Sequence, residues 1–443
     1  MSYDPLIDPS PQHTPFASSL WASQIQLGQA NPSIQCDANY DVAIIGGGYT
    51  GLLTAYYLAT EHQRKVCVLE ANQIGFGASA RNAGFVLKGS GRLGFADMAK
   101  RWDVATAEGI YREFSDAVMR VESLIEQHSI DCEPQTKGYY KVAHHQKAAQ
   151  ALQRSCDFIN KHIDAEAYYV NGSELQQQLM NNAKAYGALK FSDGFGVQPL
   201  KLLLGYKQMC TNAGVDIFEN TLVESYQLTT SGYEMSCAGG NIQAKQMVLA
   251  SNAYGPKSLD TDLVSRYLPI LSSVMVTKPL SAQQLAQVGL SSKQLVMDTR
   301  RLKYYYRLLP DNRLLFGGRG AIRGRDANKA VYYQRLQQAM AVCFPVLAQQ
   351  PIEYKWHGWI AAALDDMPHV YAQNGQGYSI GYCGSGVSFS AQAGYRLAQM
   401  LSGEKVPQLP LYSNPAPKFP LAPLRRVGQW GYYQYGRIAD KWF

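Results

Sequence analysis

The stretch that most constrains what this chain can fold into is YDVAIIGGGYTGLLTAYYLATEHQRKVCVLE, Tyr40 to Glu70. Val42, Ala43, Ile44 and Ile45 form a short apolar run of the kind that fills a strand buried on both faces of a parallel sheet. Leu52, Leu53, Ala55, Tyr56, Leu58 and Ala59 then recur near helical spacing, and Val66, Val68 and Leu69 make a second strand that ends on Glu70. The corner of this strand, helix, strand unit carries G-x-G-x-x-G at Gly46, Gly48 and Gly51. In that spacing the first glycine allows a tight turn, the second the approach of a pyrophosphate, and the third close packing of helix on strand. Unpaired N–H groups at the start of the helix then face the phosphates. Glu70 follows Gly51 by nineteen residues, where a carboxylate accepts hydrogen bonds from an adenosine ribose. Glycine turns also occur as plain structural corners. With strand, helix, second strand and acid all in place, the stretch predicts a dinucleotide site.

Composition narrows the class of protein more than its activity. The 443 residues suffice for two domains or an interleaved pair. The net charge of +7 is spread along the chain, with no Lys/Arg block interleaved with aromatics, so no nucleic-acid partner is expected. Eight cysteines stand singly, without a C-x-x-C pair or a His/Cys ligand spacing. Neither a metal site nor a disulfide framework is expected, and a reducing, cytoplasmic location is. The opening MSYDPLIDPSPQHTP is polar and proline-rich, unlike a secretory signal, and no apolar run approaches membrane-spanning length.

Along its length the chain alternates between two kinds of pattern. Residues 1–37 read as an irregular arm. Residues 38–100, 191–255 and 351–405 carry buried-strand and glycine-turn patterns of a nucleotide-binding unit, whereas 101–190 are helix-rich and 256–350 strand-rich. The second unit is expected to supply the substrate side, interleaved with the first. Ile110, Phe114, Val118, Val121 and Ile125 have helical spacing, and Gly214 is placed to stop a helix ahead of a strand carrying Val215, Ile217 and Phe218. Pro310, Asp311 and Asn312 mark a turn between two strands. In the first of these, alternation puts Lys303, Tyr305 and Arg307 on one face and Leu302, Tyr304, Tyr306 and Leu308 on the other. Residues 406–443 form a basic, aromatic tail in which Leu424, Val427, Gly431, Tyr435, Ile438 and Trp442 can share a helical face, flanked by Arg425, Arg426, Arg437 and Lys441.

Two further stretches separate a flavin from a nicotinamide. Directly after Glu70, the loop ANQIGFGASARNAGFVLKG is rich in small residues, so its backbone can lie against a flat ligand, with Ser79, Arg81 and Asn82 as donors. The turn CGSGV then begins a helix near Ser385, whose positive end can stabilise negative charge on a reduced flavin.

DVAIIGGGYTGLLTAYYL, IGFGASARNAGF, YYYRLLPDNRLLFGG and GYCGSGVSFSAQAG, in this order and spacing, resemble the D-amino-acid-oxidase-like family of FAD-dependent oxidoreductases, and within it the γ-glutamylputrescine oxidoreductase branch. The resemblance covers nearly the whole chain. It implies an α/β plus α+β architecture: a Rossmann-type, glutathione-reductase-like FAD-binding domain interleaved with a substrate domain built on a mixed, largely antiparallel sheet. It also implies oxidation of a C–N bond of an amine or amino acid, the imine then hydrolysing in water. The expected contacts to FAD are Gly46, Gly48, Tyr49, Thr50, Gly51, Glu70, Ala71, Gly77, Ala78, Ser79, Arg81, Asn82, Ala83, Gly84, Val223, Asn252, Gly384, Ser385, Gly386, Val387 and Ser388. The family pattern has glycine where Ala80 and Ala83 stand, which predicts a narrowed rather than a lost site.

Hydride transfer to a flavin asks little of side chains beyond position and electrostatics. Tyr305 and Arg307 are expected to shape the amine site and to pair with a substrate carboxylate, with Tyr306 as the alternative if the register slips by one. His357, Asp365, Asp366 and His369 show no metal-ligand spacing, and His144 and His145 read as solvated. Cys383 reads as a small buried hydrophobe rather than a point of flavin attachment. Oxygen, a quinone or another carrier remain open as electron acceptors, as do a homodimer and a peripheral contact of the tail with the inner membrane face. Two other functions share these motifs: oxidation of a 2-hydroxy acid, and a non-catalytic flavin-binding partner in the maturation of another enzyme.

Overall fold

The computed structural model describes residues 2–163, 166–290 and 293–442, without the side chains of residues 178 and 442. The expected place of Trp442 on the apolar face of the tail therefore lies outside the described residues, as do the parts of the expected segments at residues 1, 164–165, 291–292 and 443.

Val42, Ala43 and Ile44 are wholly buried because their strand, Ala38–Ile45, lies inside a parallel sheet. It pairs in parallel with Gly240–Leu249 on one side (Ile44 opposite Val248) and with Val66–Leu69 on the other (Ile44 opposite Val68). The order across this sheet is His369–Gln373, Gln376–Ile380, Gly240–Leu249, Ala38–Ile45, Val66–Leu69, Asp216–Phe218, with a two-stranded antiparallel extension from Val223–Thr229 and Gly232–Cys237. Helix Tyr49–Thr60 and helix Gly386–Leu401 pack together over it. They approach so closely that a Cβ on Gly394 would lie 2.9 Å from the Thr54 nitrogen.

The second sheet is mixed and mostly antiparallel, in the order Ile352–Ala362, Leu268–Thr277, Leu314–Arg319, Tyr305–Leu308, Leu295–Asp298, Tyr139–Val142, Gly187–Phe191, Ala167–Asn171. Only Leu295–Asp298 and Tyr139–Val142 run parallel to each other. The strand Ile352–Ala362, expected with the nucleotide unit, pairs instead with Leu268–Thr277 (Ile270 opposite Ile360). An apolar strand suits either sheet locally, and only the long-range pairing assigns it. The other expected helices and strands form: helix Val104–Gln127 covers the 110–125 pattern, Gly214 follows helix Pro199–Asn212, and the turn at 310–312 joins Tyr305–Leu308 to Leu314–Arg319.

Both ends of the chain pack against the rest of it. The arm is built into the fold: Tyr3, Leu20 and Trp21 are buried, and the Trp359 indole donates to the Tyr3 carbonyl at 2.7 Å. The tail forms one helix, Arg425–Trp442. Its polar face turns inward, with Gln429 and Tyr433 buried and Asp440 accepting from the backbone N–H groups of Arg301 (2.8 Å) and Leu302 (3.0 Å). Leu424, Val427, Trp430, Tyr435 and Ile438 are 52–66% exposed, so the apolar stripe faces outward. No helix among the described residues is long and apolar enough to cross a membrane. His144 and His145, read as solvated, are both half-buried. His145 accepts from the Ala148 N–H and caps helix Gln146–His162, while His144 bonds Thr299 Oγ1 at 2.7 Å, and burial pushes its imidazole down to about 3.

Candidate functional site

The glycine corner opens a cavity between the first sheet and its covering helices. Gly46 has φ +113°, and a Cβ there would meet the Ala250 and Ser251 backbone at 2.9 Å. Only glycine fits that conformation and that spacing. A Cβ on Gly51 would stand 1.9 Å from the Gly46 carbonyl, so Gly51 shapes the turn without lining the cavity. Helix Tyr49–Thr60 starts at Gly48 with no side-chain cap from that residue, and Gly48, Tyr49 and Thr50 line the cavity, so a helix start borders it, as suits a phosphate. Ser79 Oγ accepts from the Tyr49 N–H at 3.0 Å and ties the following loop to this corner. Glu70 ends the second strand of the unit, where Oε2 accepts from Gly47 N–H (2.8 Å) and Oε1 from Asn72 N–H (3.0 Å). Burial raises its carboxyl above the usual range against these two bonds.

The small-residue loop 77–84 runs from the first cavity to a second one. Gly77, Ala78, Ser79 and Asn82 line the first; Ala78, Arg81, Asn82 and Ala83 line the second. Two indoles hold the loop: Trp21 donates to the Asn82 carbonyl at 2.9 Å and Trp356 to the Arg81 carbonyl at 2.8 Å, their rings edge to face at 5.9 Å. The Asn82 amide donates to the Ala78 and Ser79 carbonyls and accepts from Gly84 N–H, which leaves it a loop staple. Helix Gly386–Leu401 starts without a side-chain cap at the same junction, with Gly384 and Val387 lining both cavities. Ser385 lines the second, Gly386 the first.

The first cavity also contains Ala71, Val223 and Asn252, and Thr50, whose hydroxyl meets the Tyr382 hydroxyl at 2.5 Å. Asn252 Oδ1 and Ser390 Oγ in it, and Arg81 Nη2 in the second, are buried without a hydrogen-bond partner. Buried polar atoms of this kind need partners. A long ligand with a ribose near Glu70, a pyrophosphate at the glycine corner and a polar flat end at the junction supplies them. The residues present therefore fit FAD.

The second cavity lies against the inner face of the second sheet. Tyr305 stands in it, edge to face with Phe85 at 5.7 Å and bonded to Ser272 Oγ at 2.7 Å. Lys303 precedes it on the same face, its ammonium donating to the Gly91 carbonyl. Burial, with the charges of Lys141, Arg92 and Arg319 nearby, pushes that ammonium down to about 7. Lys141 and Arg319 complete a cationic wall that alternation in one strand only partly foreshadowed, since Lys141, from Tyr139–Val142, and Arg319, from Leu314–Arg319, arrive on other strands.

Other expected site residues lie elsewhere. Arg307 is 1% exposed, and its guanidinium donates to Gln135 Oε1 (2.5 Å) and the Val197 carbonyl (2.6 Å) against the Trp21 and Phe85 rings. It does not line the second cavity, and burial pushes it down to about 9. Tyr306 points through the opposite face of the sheet, stacked on Phe316 and bonded by the Asn182 amide at 2.6 Å. Ser388 Oγ donates to the Leu87 and Ser385 carbonyls inside the fold, and a Cβ on Gly84 would fall 1.9 Å from the Val197 carbonyl; neither residue lines either of these two cavities. His369 bonds Asp365 at 3.0 Å and Asp366 pairs with Arg92 at 3.0 Å. Burial and the Arg81 charge push His357 down to about 4. No group of acids, histidines and cysteines suited to a metal occurs among the described residues. Cys383 lines the second cavity, its thiol pushed by burial up to about 12.

Comparison with known proteins agrees with this geometry. The sequence profile of the DAO family, described as "FAD dependent oxidoreductase", matches residues 41–400. The chain is 30% identical over 376 residues to γ-glutamylputrescine oxidoreductase of Escherichia coli (strain K12), covering 84% of this chain and 85% of that protein. Its fold is similar to that of glycine oxidase from Geobacillus kaustophilus, with a TM-score of 0.71 and 21% identity over 85% of this chain and 98% of that one. It is also similar to L-amino acid deaminase from Proteus vulgaris, with a TM-score of 0.67 and 17% identity over 92% and 98%.

Proposed function

Because this chain belongs to the DAO family of FAD dependent oxidoreductases, we propose that it oxidises a C–N bond of an amine or amino acid held in the second cavity. The observation that carries this reading is the junction of the two cavities. Ala78, Asn82, Gly384 and Val387 border both, so a small molecule against Tyr305 would meet the far end of a dinucleotide anchored at Gly46–Gly51. Bound FAD supplies the acceptor for the hydride and its electron pair. The chain itself positions and dries the substrate: Phe85, Tyr305, Met297 and Trp359 wall it off from water, and Ser272 fixes the Tyr305 hydroxyl. The product imine takes up water to give a carbonyl compound and the released amine or ammonia. An alcohol substrate would call for a base such as histidine. The residues lining the second cavity include none, and His357 and His369 lie outside it, which favours the amine over a 2-hydroxy acid.

Anaerobic mixing of the FAD-loaded protein with a panel of amines, amino acids and 2-hydroxy acids tests the reading. Bleaching of the flavin by at least one amine or amino acid is expected. Bleaching by hydroxy acids alone, or by nothing in a broad panel, would replace it with one of the other two functions.

We propose in addition that the helix Arg425–Trp442 rests on an anionic lipid surface, from which a lipid-soluble acceptor can be reached. This is supported by the outward stripe Leu424, Val427, Trp430, Tyr435 and Ile438. It is also supported by charge: residues 406–443 hold Lys418, Arg425, Arg426, Arg437 and Lys441 against one acid, Asp440. The full chain is expected to float with phosphatidylglycerol vesicles and a chain ending before Pro420 is not. Equal flotation of both, or a concentration-dependent dimer in place of flotation, overturns this.

A further inference from the structure

The second cavity is lined by Arg81, Lys88, Arg92, Lys141, Lys303 and Arg319, and by no aspartate or glutamate. Two of these are already paired with a carboxylate, Lys88 with Asp193 at 2.5 Å and Arg92 with Asp366 at 3.0 Å. Arg81 lies over the Phe76 ring and donates to the Phe76 carbonyl, and its unpartnered Nη2 is among the atoms that FAD would satisfy, while Lys303 keeps one donation to the Gly91 carbonyl. Lys141, Lys303 and Arg319 have no carboxylate within ion-pair distance among the described residues. The sheet register gathers them. Met297 pairs with Tyr305 on one side and Lys141 on the other, Arg319 pairs with Ser272, and Lys303 stands two residues before Tyr305 on the same face.

Three cations held in one partly dried cavity repel each other and lack the hydration that bulk water would give them. Folds keep such clusters where a counter-charge arrives with a ligand, and a cavity lined by one sign of charge concentrates ligands of the other. One carboxylate satisfies one, or at most two, of the three. We propose that the substrate of this chain is an amine bearing at least two carboxylates, of the amino- or iminodicarboxylate class, with Lys141, Lys303 and Arg319 as the residues that bind the acid groups and set specificity.

This inference rests on the second cavity being the substrate site, and the experiment separates the two. Glutarate, a redox-inert dicarboxylate, and butyrate, its monocarboxylate counterpart, are titrated into the FAD-loaded protein, with binding read from the perturbed flavin spectrum. Glutarate is expected to bind at least tenfold more tightly than butyrate, and its affinity to fall more steeply with salt. Lys141→Met, Lys303→Met and Arg319→Met are each expected to weaken glutarate at least fivefold at unchanged flavin content, with Lys303→Arg retaining it. Because the salt dependence is read on the unaltered chain, the inference remains open to refutation if a variant loses its flavin. Butyrate binding as tightly as glutarate, indifference of glutarate to all three substitutions, or competition by putrescine as effective as by glutarate overturns it. Tight glutarate binding with no bleaching by any amine would leave the anion site standing and remove C–N oxidation. Bleaching by monocarboxylate amines that glutarate does not inhibit would do the reverse.

Discussion

The Arg307 guanidinium is enclosed by Gln135, Val197, Trp21 and Phe85, so its replacement is expected to act on stability and not on substrate affinity. Arg307→Met should lower the unfolding free energy by about 2–4 kcal/mol, the usual penalty for stranding the partners of a buried charged donor. KM in the remaining folded enzyme should change less than twofold, and thermal melts with steady-state assays check both. Lys303 should behave in the opposite way. Burial, with the charges of Lys141, Arg92 and Arg319 outweighing that of Asp298, pushes its ammonium down to about 7. Anion binding favours the protonated form; glutarate affinity is therefore expected to fall as pH rises through about 7, and Lys303→Arg should flatten that profile. Alternation along one strand told which residues share a face, which is why Lys303 and Tyr305 were placed together. It carried no information on depth, and Arg307, on the same face as Tyr305, is filled in by Gln135 from another segment.

The strand, glycine turn and helix of the cofactor corner were legible because each is written in a local period: the run at 42–45, the helical spacing at 52–59, the fixed glycines between them. Gly51→Ala tests the tightest point. Its methyl would lie 1.9 Å from the Gly46 carbonyl, so the helix must move off the turn, and FAD affinity is expected to drop at least tenfold in equilibrium titration of refolded protein. The cationic wall was not legible to the same degree, since Lys141, Lys303 and Arg319 belong to three segments joined only by strand register. The same applies to the two indoles on the cofactor loop. Nothing near Trp21 marks it as a partner of Asn82, 61 positions away. Trp21→Phe, which removes one indole N–H, should weaken FAD about three- to tenfold, as expected for one lost hydrogen bond.

On the scale of the whole molecule, both units contribute walls to the junction where a flavin fits, so cofactor and fold should be thermodynamically linked. Free FAD at about 100 times its Kd is expected to add about 2.7 kcal/mol to the unfolding free energy. Calorimetry should show one transition moving upward with FAD, whereas two transitions of which only one moves would mean that the units melt separately. The same interleaving bears on biosynthesis. Ile44 and Val248 are paired although they stand 204 positions apart, and Asp4 meets Arg426 across nearly the full chain. While residues up to about 240 are being translated, the strand Ala38–Ile45 has a partner on one edge only. Ribosome-bound intermediates of this protein should therefore recruit chaperones through that open Val-Ile edge, and a pause in translation before Gly240 should send the product into aggregates.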